Sequence, residues 1–159
     1  MEPRAGASFP LAGGKVSTTA ALTYLRRFRT FAFQTLPTQY TVQEGTLGYP
    51  KYKGLVGINY SISGFKFGWQ GRYQSSQSLV DLSPGVSREL QYPNMVGARF
   101  YNDVSFAYKF ALQSKQMATF SLGVTNLLNV HLPVMGSNSA TGAYDQFGPV
   151  VRLGLDVDF

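Results

Sequence analysis

The chain has 159 residues, 44% of them hydrophobic and only 14% charged, with a formal net charge of +6. That balance excludes a disordered tail and leaves one folded unit, or part of one, as the expectation. The basic excess does not point to nucleic acid, because Lys and Arg are scattered singly apart from Arg26, Arg27 and Arg29.

Ten Tyr, twelve Phe and one Trp accompany 17 Gly and 8 Pro. Aromatic residues favour strands, and Gly and Pro punctuate turns, so an all-β fold is expected. The absence of Cys rules out a disulfide framework and Cys-based zinc sites.

In chain order, a short segment from Ala5 to Leu11 meets a strand through Ala12-Gly13-Gly14. In that strand Val16, Thr18, Ala20, Leu22 and Tyr24 alternate with Ser17, Thr19, Ala21 and Thr23. Next, Val56, Ile58, Tyr60 and Ile62 share one face; after Ser63-Gly64, Phe65, Phe67, Trp69, Gly71 and Tyr73 oppose Lys66, Gly68, Gln70, Arg72 and Gln74. A second tight hairpin sets Val104, Phe106, Tyr108, Phe110 and Leu112 before Gln113-Ser114-Lys115-Gln116, and Ala118, Phe120, Leu122 and Val124 after it. The terminal segment alternates Val151, Leu153, Leu155, Val157 and Phe159 with Arg152, Gly154, Asp156 and Asp158.

This pattern predicts about seven strands and no helix of ordinary length. The connections are short at 12–14, 63–64 and 113–116, and long at roughly 35–53, 76–98 and 128–147. Alternating short and long turns are what an antiparallel up-and-down transmembrane β-barrel gives, with short periplasmic turns and long outer loops. The face opposite the apolar one holds Gly, Ser, Thr, Asn and Gln with isolated charges, as a wide water-filled lumen requires, whereas a soluble sandwich needs a densely charged exterior.

No stretch approaches the roughly 18 apolar residues of a transmembrane helix. The start, Met1-Glu2-Pro3-Arg4-Ala5, has no apolar core of a secretory signal. Since an outer-membrane protein is exported, the expectation is that the original N-terminus is missing or removed.

The tail resembles the C-terminal end of a TonB-dependent outer-membrane receptor. The likeness lies in Phe120-Ser121-Leu122-Gly123-Val124-Thr125-Asn126-Leu127-Leu128-Asn129, then Pro133, Tyr144-Asp145 and Gly148, and the run Val151 to Phe159. Thr23-Tyr24-Leu25, Gly48-Tyr49-Pro50-Lys51 and Arg72-Tyr73 agree with it. The chain departs at Pro149, where many members carry Arg, and at Leu128-Asn129, where Phe-Asp is commoner.

The resemblance implies active uptake of a scarce ligand, such as an iron-siderophore complex, through a plugged barrel of about 22 strands. About seven strands do not close around such a lumen, so the chain reads as one wall of a partial barrel in the bacterial outer membrane. On that resemblance the plug, through which TonB would act, is expected to lie outside this sequence. No enzymatic activity and no cofactor are expected. The expected partners are outer-membrane lipids, lipopolysaccharide, the barrel-assembly machinery and the remainder of the receptor.

Within that frame, Lys66, Gln70, Arg72, Lys109, Arg152 and Asp156 are the lumen-facing candidates for contact with a plug or an anionic ligand. Tyr24, Tyr60, Trp69, Tyr73, Tyr108 and Phe159 are the expected aromatic belts. Leu155, Val157 and Phe159 resemble the signal read by the barrel-assembly machinery. Arg26, Arg27 and Arg29 point toward lipopolysaccharide phosphates or form a solvated strand extension. His131 reads as a solvent-exposed loop residue, and Asp156 with Asp158 as hydrophilic edge residues, since no triad, zinc or phosphate-cradling motif appears. The alternatives are a complete small outer-membrane barrel with a structural or adhesive role, a membrane-embedded hydrolase, and a soluble lipid-binding barrel.

Overall fold

The computed structural model describes residues 4–79, 82–85, 95–112, 116–131 and 148–158, and none of them lies in a helix. Eleven strands form: β1 (Arg4–Leu11), β2 (Gly14–Tyr24), β3 (Arg29–Phe31), β4 (Tyr40–Val42), β5 (Tyr52–Ile62), β6 (Phe65–Gln74), β7 (Gln77–Ser78), β8 (Met95–Val96), β9 (Arg99–Ala111), β10 (Met117–Thr125) and β11 (Val150–Asp158). Seven of them make one antiparallel sheet in the order β1-β2-β5-β6-β9-β10-β11. The sheet is open, since β1 pairs only with β2 and β11 only with β10.

Sequence neighbours pair because the tight connections leave them no alternative. Leu11 opposes Gly14 and Ile62 opposes Phe65, so each hairpin loop has two residues. Ala12 and Gly13 have φ of 48° and 78°, Ser63 and Gly64 of 40° and 86°. Two successive positive φ values define the turn whose twist matches that of the flanking strands. The third tight connection closes with the Leu112 N–H donating to the Gln116 carbonyl at 2.8 Å.

Register carries the period-two pattern across the whole sheet. One row runs Phe9, Val16, Tyr60, Phe67, Phe106, Leu122 and Leu153, each opposite the next. The neighbouring row on the other face runs Ser8, Ser17, Asn59, Gly68, Ser105, Gly123 and Arg152. A slip of one residue at any junction would mix the two.

Among the described residues no second layer covers the apolar face. On interior strands Val56, Ile58 and Phe67 are 43%, 40% and 48% exposed, values a sandwich core would bring near zero. The buried cluster lies instead at the long-connection end, where Val96 and Tyr101 are enclosed by Leu47, Leu79 and Val130. Two small ribbons, β3–β4 and β7–β8, stand within the long connections. A parallel bridge from Thr46 to Ser78 ties the first long connection to the second.

Candidate functional site

The charges of the sheet segregate completely. Arg4, Lys15, Lys53, Lys66, Arg72, Arg99, Lys109 and Arg152, with Asp103, Asp156 and Asp158, all occupy register positions of the polar face. None of the sheet's Asp, Glu, Lys or Arg lies on the apolar face. Residues of that polar face from β2 to β11, among them Thr19, Asn59, Gln70, Asp103, Gly123 and Arg152, line one cavity of about 360 Å³. The sheet therefore curls toward its polar side.

The best-ordered chemistry on this face is centred on Asp103. Its Oδ2 accepts from Arg72 Nε at 2.7 Å, and its Oδ1 accepts from Arg72 Nη2 at 3.3 Å and from the Asn126 N–H at 2.8 Å. The guanidinium carbon of Arg72 also lies 5.1 Å from the Tyr101 ring centroid. A forked guanidinium on a carboxylate fixes both partners in orientation.

Asn126, 1% exposed and with φ of 54°, begins the turn after β10. Its Oδ1 accepts from the Val130 N–H at 2.8 Å, and its Nδ2 donates to the Val130 carbonyl at 3.2 Å. Asn129 lies so close to Gly148 that a Cβ there would meet Asn129 Oδ1 at 2.9 Å. The two ends of the last long connection therefore meet beside Asp103.

Of the six expected lumen residues, the structure places Lys66, Gln70, Arg72, Lys109, Arg152 and Asp156 on the polar face. Gln70 and Arg152 share the cavity that Asp103 lines. Lys109 and Asp156 stand in one row near the short turns, either side of Thr119. Lys109 Nζ is 3.6 Å from Asp158 Oδ2, an exposed pair worth little in water. His131 is exposed.

Tyr24, Tyr60, Trp69, Tyr73 and Tyr108 stand on the opposite, apolar face with Leu155 and Val157. Tyr24 stacks on Tyr52 at 4.9 Å at the long-connection end, and Tyr108 stacks on Phe65 at 4.1 Å beside a short turn. Trp69 departs from the belt expectation. It sits mid-strand, where its Nε1 donates to Asn102 Oδ1 at 3.1 Å, so the one polar atom of the indole is paired within the apolar face. Phe159 lies outside the described residues, as do Pro133 and Tyr144-Asp145.

Arg29 separates from its neighbours Arg26 and Arg27. It lies 4.2 Å from the Tyr40 ring centroid and 3.9 Å from Glu44 Oε1, while Arg26 and Arg27 are exposed. Sequence reasoning missed Asp103, Asn126, Tyr101 and Glu44. No family model matches the chain, and no curated protein or solved structure matches it.

Proposed function

We propose that the chain forms part of the wall of an outer-membrane importer of the TonB-dependent type, with lipid against its apolar face and a water-filled lumen against its polar face. The carrying observation is that all eleven charged residues of the sheet share one face while the other is uncovered and bears none. In water, each large apolar side chain left exposed forgoes about 1.5–3 kcal/mol of burial. In a bilayer the same face is at its minimum.

Strand length supports the reading. β9 has 13 residues, about 44 Å at the usual rise. At a tilt of about 40° this crosses the roughly 30 Å hydrocarbon layer. Arg26 and Arg27 lie beyond Tyr24 at the long-connection end, where phosphates of lipopolysaccharide would meet them, and Leu155, Val157 and Phe159 serve as the assembly signal. The open sheet weighs against the complete small barrel, because β1 and β11 have no mutual pairing. Other strands and a plug would complete the importer.

The test uses the chain's lack of Cys. Single Cys variants at Val104, Phe106 and Leu122, and at Ser105, Ala107 and Gly123, are incorporated into phospholipid vesicles and treated with a water-soluble maleimide. We expect the first three to be protected and the second three labelled. Equal labelling of both sets, or a chain that stays out of the vesicles, would remove the reading.

A further inference from the structure

We propose that the long-connection end of the polar face is a docking site for a small polyanion, a solute carrying two or more phosphate or carboxylate groups. The inference deepens the wall reading by naming the class of solute, and it rests on that reading for the route by which the solute arrives. Arg4, Lys53 and Arg72 line one concavity of about 550 Å³ together with Thr19, Thr23 and Gln74, and no Asp or Glu is among the described residues that line it. That volume suits a small molecule.

Register adds a fourth cation. Gln74 is directly opposite Arg99 across the β6–β9 pair and opposite Lys53 across the β5–β6 pair, so Lys53, Gln74 and Arg99 form one row. The nearest carboxylate on the sheet, Asp103, already accepts from Arg72 and from the Asn126 amide. Those contacts set the Arg72 guanidinium in place before any ligand arrives.

Two atoms in this row lack what burial demands. Arg99 Nε and Gln74 Oε1 are buried, and neither has a hydrogen-bond partner among the described residues. Leaving such atoms unpaired costs about 1–3 kcal/mol each. The oxygen and nitrogen of a Gln amide exchange by a half-turn, which would present a donor beside the Arg99 donor. Lys53 and Arg72 flank this row, and oxyanions match such cations as a neutral solute does not.

The experiment is calorimetric titration of the full chain in uncharged detergent with inorganic pyrophosphate, with tricarballylate, and with raffinose as a neutral solute. Both anions are expected to bind and raffinose not. Lys53→Gln and Arg99→Gln should each weaken pyrophosphate about tenfold, Lys53→Arg should restore it to within about threefold, and Lys15→Gln near the short turns should leave it unchanged. Circular dichroism of each variant confirms that the sheet is intact. The proposal is overturned if the parent chain binds neither anion, if raffinose binds as well, or if Lys15→Gln loses as much as Lys53→Gln, which would mean a diffuse field and no site. Run beside the maleimide experiment, the two readings fail separately: alternating protection without anion binding removes the site and leaves the wall, and anion binding without protection does the reverse.

Discussion

Asp103 accepts from Arg72 and the Asn126 amide together, so its removal takes both carboxylate contacts from a half-buried guanidinium and unlatches the turn after β10. We expect Asp103→Asn to lower stability by about 2 kcal/mol, measured by urea unfolding in micelles. Glu44 plays a comparable part in the first long connection, where its Oε2 accepts from the Phe28 N–H at 3.0 Å. Burial pushes the Glu44 carboxyl up, but hydrogen bonds from Phe28 and its own backbone, with the charges of Arg29 and Lys51, outweigh it and hold the group below the ordinary carboxylate range. A lowered folded value means that this stabilisation is full above the ordinary range and is lost as pH falls below it and through the lowered folded value. Protection of the Phe28 amide, its exchange relative to an unstructured amide at the same pH, should therefore stay high near neutrality and fall in acid, and Glu44→Gln should abolish that pH dependence of protection. Neither carboxylate was legible in the sequence. Arg72 and Asp103 are 31 residues apart and meet only once the β6–β9 register is known.

At the scale of the element, the strands were legible because one face of each is apolar, and a two-residue period is strong evidence for pleated backbone. Turn chemistry was legible for Ser63-Gly64 and only partly for the first hairpin, where Gly14 belongs to β2. The ribbon β3–β4 was not, since strands of three residues such as Arg29–Phe31 are too short to display a period. Gly64 is the more constrained of the two turn glycines: at φ of 86°, a Cβ would also meet the Lys109 carbonyl oxygen at 2.7 Å. Gly13 has only the positive φ, with the Ile62 Cδ1 as its nearest neighbour at 3.8 Å. We expect Gly64→Ala to cost about 2–3 kcal/mol and Gly13→Ala about 1 kcal/mol, read from unfolding midpoints. Gly71 illustrates a different constraint. The Phe100 and Trp69 rings close over it, with a Cβ position 2.6 Å from Phe100 Cζ, so aromatic cover stands where a side chain would be.

For the molecule as a whole, facing matters more than composition. Val104 and Ser105 are adjacent in β9, yet Lys at the first would enter the uncharged face and Lys at the second the charged one. Val104→Lys should cost about 2–4 kcal/mol in vesicle incorporation, and Ser105→Lys close to nothing, as measured by the fraction of chain floating with lipid on a density gradient. The sheet's count also bears on who can complete it. Antiparallel neighbours reverse at each step, and the list β1-β2-β5-β6-β9-β10-β11 has an even number of steps, which returns the last strand to the heading of the first. Both rims thus travel the same way. Identical copies arranged in a ring would join through parallel seams, each needing a hydrogen-bond pattern found nowhere else in this sheet. A complement with reversed outer strands, itself odd in number, would continue the existing weave on both sides.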